Sequence, residues 1–113
     1  MEINVRKVEE VTVVGLGGEI DANTAALAQE TILPLAAGGG KLLLEMTGVT
    51  YMSSAGLRLL LSTYRRVSAA GGRVALVGLS DELKDTMSMT GFLDFFVTQA
   101  TVEEAMAALA GAA

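Results

Sequence analysis

Histidine, cysteine and tryptophan are absent from this 113-residue chain, and proline occurs once. Without cysteine there can be no disulfide, thiolate nucleophile or Cys-rich zinc site, and a reducing compartment suits the composition. Without histidine the commonest general base and imidazole ligand are missing too. Metal chemistry is then restricted to carboxylate-bound Mg²⁺ or Ca²⁺, and no cofactor or resident metal is expected. Positive charge is also scarce. Eight Lys and Arg against 13 Asp and Glu give a net charge of −5, which opposes direct binding to nucleic acid or to an anionic membrane surface. No apolar run approaches the ~20 residues needed to cross a bilayer, and Met1 to Arg6 alternates and carries charge where a signal peptide would have an apolar core. The expectation is a cytoplasmic protein.

What the chain does have is aliphatic bulk: 51% of its residues are hydrophobic while only 4% are aromatic, so its core must be built from Val, Leu, Ile, Met and Ala. At this length one domain spanning residues 1–113 is expected, burying roughly 65% of the surface the unfolded chain exposes. Ile3, Val5 and Val8, then a Glu9-Glu10 turn, then Val11, Val13, Val14 and Leu16 predict an N-terminal hairpin, with Gly15, Gly17 and Gly18 ending its second strand. Asp21 or Asn23 can cap a helix whose Ala25, Ala28, Ile32 and Leu35 recur at helical spacing, and Pro34 with Gly38-Gly39-Gly40 should stop it. Leu42-Leu43-Leu44 reads as a central strand covered on both faces.

A second helix from Ser54 is predicted to bury Leu57, Leu60, Leu61, Tyr64 and Val67 and to end near Gly71-Gly72, with Ala55, Arg58, Leu59, Ser62 and Arg66 on its other side. Val74 to Val77 form the next strand. Ser80 caps a third helix through Met89, closed by Gly91. Phe95, Phe96 and Val97 make a last short strand, and Thr101 caps a terminal helix with Val102, Ala105, Met106 and Leu109 inward. The tail Gly111-Ala112-Ala113 should fray. The fold class is therefore α/β, a mixed β-sheet with an N-terminal hairpin and about four helices in the order β-β-α-β-α-β-α-β-α.

The most informative stretch is Val49 to Arg58, where an apolar strand meets the second helix and places Ser53 and Ser54 at the joint. A first helical turn has unpaired N–H groups and the positive end of the dipole, so a phosphate on Ser54 would be stabilised there. Capping alone would also put serine at this position. The small residues Ala55 and Gly56 add something capping does not require, since they leave the backbone and hydroxyl open to an approaching protein. The exposed strip of Leu59 beside Arg58 and Arg66 is the expected contact face.

Other motifs are weaker. Gly15-Leu16-Gly17-Gly18 lacks the spacing of a dinucleotide-binding loop, and its glycines read as a tight turn. Glu19 and Asp21 would share a face of an extended segment as paired acids or Mg²⁺ ligands, or Asp21 simply caps a helix. Met87 and Met89 near Phe92 and Phe95 read as core filling.

Gly18-Glu19-Ile20-Asp21, followed by Val49-Thr50-Tyr51-Met52-Ser53-Ser54-Ala55-Gly56-Leu57, resembles the STAS-domain anti-sigma factor antagonists of bacteria. Gly71-Gly72 before a Val-rich strand and Met89-Thr90-Gly91-Phe92 extend the likeness over nearly the whole chain. The resemblance implies a STAS fold and a regulatory, non-enzymatic role. In that family the domain binds a GHKL-type serine kinase that doubles as an anti-sigma factor and so frees the sigma factor; the kinase phosphorylates the domain to reverse this, and a phosphoserine phosphatase restores it. ATP would be the kinase's cofactor. By motif the phospho-acceptor is Ser54, with Ser53 as the alternative because many members have Asp directly before the acceptor. Asp21, Ser53, Ala55, Gly56, Arg58 and Leu59 become the partner-binding residues. The same family contains non-phosphorylated subunits of lipid-transport complexes or stressosomes, the alternative role.

Overall fold

The computed structural model describes residues 1–110. Its elements run in the order β1 (Glu2–Val8), β2 (Val11–Ile20), α1 (Ala22–Ala36), β3 (Lys41–Met52), α2 (Ser54–Ala69), β4 (Arg73–Val77), α3 (Asp81–Met89), a 3₁₀ turn (Leu93–Phe95), β5 (Val97–Gln99) and α4 (Val102–Ala110). The five strands lie side by side in chain order; β1 is antiparallel to β2 and every later pair is parallel. This is the mixed sheet with an N-terminal hairpin and four helices that the sequence predicts.

Alternation along the strands sends successive side chains to opposite faces. Val14, Leu16, Leu42, Leu44, Met46, Val74 and Leu76 face the layer that contains α1 and α2, where Ala28, Ile32, Leu60 and Val67 meet them. Val11, Val13, Leu43, Ala75 and Val77 face the other way, onto Ala105 and Leu109 of α4. The central run is apolar at consecutive positions because it is covered on both sides.

Several boundaries differ from expectation. The glycines at 15, 17 and 18 do not end β2; the strand runs through them to Ile20, with register shifts against β3 between Gly15 and Gly17 and between Gly18 and Glu19. Glycine there weakens a strand without terminating it, because β3 supplies a parallel partner throughout. Pro34 lies inside α1, two residues before its last helical residue, rather than stopping it. Phe95 belongs to the 3₁₀ turn and Phe96 to its C-cap, so β5 starts only at Val97. Tyr64 stacks on Phe95 with centroids 5.2 Å apart and meets Phe96 edge-on at 5.7 Å, and these ring contacts pull the segment out of strand geometry. Met87 is fully buried as expected, but Met89 is 88% exposed. The tail 111–113 lies outside the described residues.

Candidate functional site

β2 and β3 finish in register, with Ile20 opposite Met52, so that Asp21 and Ser53 leave the sheet side by side. The Ser53 N–H donates to the Ile20 carbonyl at 2.8 Å and ties the two exits together. Each chain end then turns directly into a helix, and α1 and α2 pack against each other. Two helix N-termini, each carrying the positive end of a dipole, therefore open at the same end of the sheet.

Asp21 caps α1. Its carboxylate accepts from the N–H groups of Asn23 and Thr24, both at 3.0 Å, and the Thr24 hydroxyl in return accepts from the Asp21 N–H at 2.8 Å. This reciprocal box settles the choice between Asp21 and Asn23 as cap. The Thr24 N–H, aided by the Thr24 hydroxyl and the Asn23 N–H and opposed by desolvation, holds the Asp21 carboxyl below its ordinary range. All of these side-chain bonds end on Asp21 Oδ1, which commits that oxygen to capping.

Ser53, not Ser54, caps α2. Its hydroxyl accepts from the Ala55 N–H at 3.2 Å and its carbonyl accepts from the Leu57 N–H at 3.1 Å. Ser54 is the first helical residue and is exposed, and its hydroxyl has no hydrogen-bond partner among the described residues. One serine is thus committed to the cap and its neighbour presents an exposed hydroxyl. Arg58 is exposed four residues on, so it stands over Ser54 on the same helical face.

Two expected contact residues are turned inward. Leu59 is 3% exposed, because α2 buries the stripe Gly56, Leu59, Leu60, Thr63 and Val67 and leaves Leu57 and Tyr64 only partly covered. Gly56 is buried as well: a Cβ on it would lie 2.3 Å from Met52 Cγ and 3.0 Å from Ile20 Cγ2. Its smallness lets the helix sit down on the strand ends; it is not an open turn. Ala55 is half-buried against the core. What remains on the surface is Ser54, Arg58 and part of Ala55, together with two residues that sequence reasoning did not select. These are Tyr51, 53% exposed at the end of β3, and Leu27, 58% exposed on α1. Leu27 could have been noticed as the large apolar residue that falls off the inward spacing of Ala25, Ala28 and Ile32.

A cavity of about 420 Å³ lined by Glu10, Gly39, Lys41, Gly71 and Arg73 lies at the opposite end of the sheet, where β3 and β4 begin. Among the described residues no helix is long and apolar enough to cross a membrane.

The family model described as STAS domain matches residues 2–105. The chain is 32% identical over 103 residues to the anti-sigma-B factor antagonist of Bacillus subtilis, covering 91% of this chain and 94% of that one. Among solved structures, the unphosphorylated form of the anti-sigma factor antagonist SpoIIAA superposes with a TM-score of 0.77 at 23% identity, over 97% of this chain and 99% of that one. The phosphorylated form of SpoIIAA, from Bacillus, superposes with a TM-score of 0.74 at 23% identity, over 93% and 96% of the two chains.

Proposed function

The chain belongs to the STAS domain family, and from that premise we propose an anti-sigma factor antagonist whose unphosphorylated form binds a serine kinase doubling as an anti-sigma factor and so frees the sigma factor. It is a regulatory binding protein and not an enzyme. Phosphorylation of Ser54 by a GHKL-type kinase in the cytoplasm switches the binding off, and a phosphoserine phosphatase restores it. The observation that carries this reading is the division of labour at the joint, with Ser53 bonded to Ala55 as the cap and Ser54 exposed beside it.

The physics of the switch is local. A phosphate adds ~1.5 to 2 negative charges at pH 7. Attached to the first residue of α2, it meets the N–H groups of Ser54 and Gly56, which have no intrahelical acceptor, and the cation of Arg58 above it. The fold tolerates it. A partner whose surface is complementary to a neutral hydroxyl must instead bury that charge, and a loss of ~2.8 kcal/mol weakens association about a hundredfold, within what an unpaired buried charge costs. Tyr51, Leu27, Arg58 and Asp21 frame the docking face in this reading.

The test is phosphorylation in vitro. The wild-type chain, Ser53→Ala and Ser54→Ala are incubated with the candidate kinase and ATP, and the modified residue is mapped by mass spectrometry. Phosphate on wild type and Ser53→Ala but not on Ser54→Ala is the expected pattern. Phosphate retained by Ser54→Ala and lost from Ser53→Ala would move the switch to Ser53.

A further inference from the structure

We propose that the free edge of the sheet is a homodimer surface, on which a second copy of this chain lays its own β1 antiparallel to β1 and joins the two sheets into one of ten strands. Among the described residues β1 pairs with β2 alone and forms one border of the sheet. The helix on the second face, α4, packs chiefly on β3, β4 and β5, and of β1 only Val8, at its end, packs on the cluster that α4 closes. Around the two-residue turn Glu9-Glu10 the closing pair Val8 and Val11 bond mutually, so Val8, Arg6, Asn4 and Glu2 turn their backbone groups toward β2. Ile3, Val5 and Lys7 turn theirs outward, a row of donors and acceptors that no strand among the described residues meets.

The side chains specify both the occupant and the register. Charges on a border strand ordinarily guard it against pairing. Here a reversed copy places opposite charges together: with Asn4 on the two-fold axis, Glu2 faces the second copy's Arg6, Arg6 faces its Glu2, and Ile3 faces its Val5. Directly opposed side chains lie ~4.5 to 5.5 Å apart at Cβ, within reach of an ion pair. The alternative that centres the axis on Val5 puts Glu2 against Val8 and Arg6 against Asn4, matching no charges. Val5 is 49% exposed in the single chain, and the favoured register covers it with Ile3, whose side chain already packs on the core. Arg6 also reaches Glu45 at 3.6 Å, so it would sit between two carboxylates. Ser54 follows β3, two strands away, and stays accessible in the dimer.

Sedimentation equilibrium over a concentration series tests this. Wild type should show a reversible monomer–dimer equilibrium, and Glu2→Arg and Arg6→Glu should each weaken it about tenfold or more by opposing like charges. Glu2 is exposed, so Glu2→Arg should keep the wild-type melting temperature; Arg6→Glu sets a second carboxylate beside Glu45 and should melt somewhat lower, and recovery in the mixture is then its control. An equimolar mixture of the two variants should recover the wild-type affinity, since every mismatch then becomes an arginine opposite a glutamate. A wild-type chain that stays monomeric up to about 1 mM would overturn the proposal. So would variants that dimerise like wild type, or a mixture that fails to recover.

Discussion

Single residues carry both the strain and the chemistry of this molecule. Glu9 takes a φ of 55° at the first position of the hairpin turn, a conformation that penalises every side chain with a Cβ. Glu9→Gly should therefore raise stability by about 0.5 to 1 kcal/mol, seen as a higher denaturant midpoint at unchanged slope. Asp21 sets a pH dependence. Its carboxyl titrates lower in the folded chain than in the unfolded one, so its contribution is complete above the unfolded value near ~4 and is lost as the pH falls through the folded value. Asn also caps but does not titrate. Between about pH 6 and pH 2 the stability of Asp21→Asn should fall less steeply than that of wild type, as read by urea midpoints at each pH. The helix-start chemistry of Asp21 and the two serines was legible in the sequence, because capping depends on local spacing. Which serine caps was not legible, since adjacent hydroxyls offer the same groups and only the path of the chain out of β3 distinguishes them.

At the scale of elements, the start of α2 separates structure from signal. Ser53→Ala removes the bond to the Ala55 N–H and should cost about 1 kcal/mol, whereas Ser54→Ala should stay within about 0.5 kcal/mol of wild type. Thermal unfolding of the two variants side by side checks this; equal losses would mean that Ser54 is also structural. The same helix shows where periodicity loses its power. Leu57, Leu59, Leu60 and Leu61 spread over about 200° of the axis, a wider arc than the buried stripe, so hydrophobicity alone leaves open which edge of it faces in. The phase is set by Gly56, which fits under Met52 and Ile20, and by buried Thr63, whose hydroxyl donates to the Leu59 carbonyl at 2.8 Å. Neither is a hydrophobic signal, which is why Leu59 was expected on the surface. The succession of strands and helices along the chain was readable from apolar spacing, while the passage of β2 through its glycines depends on pairing with β3, a long-range contact that local composition does not record.

Across the whole molecule, the parallel strands direct both helix starts to one end and so bring onto one surface, the proposed docking face, segments more than thirty residues apart. The edge strand β1 lies away from that face, so the proposed self-association and the proposed partner binding would use different borders of one sheet. Against a net charge of −5, a dianion at Ser54 would change the total modestly; in the proposed switch its effect is local, where the partner surface would close. The most direct test is calorimetric titration of the cognate kinase with unmodified protein and with protein phosphorylated stoichiometrically at Ser54, each checked for an unchanged melting temperature. The account predicts about a hundredfold weaker binding for the phosphorylated form at equal stability. Equal affinity of the two forms, or weak binding explained by a phosphorylated chain that has lost its fold, would contradict it.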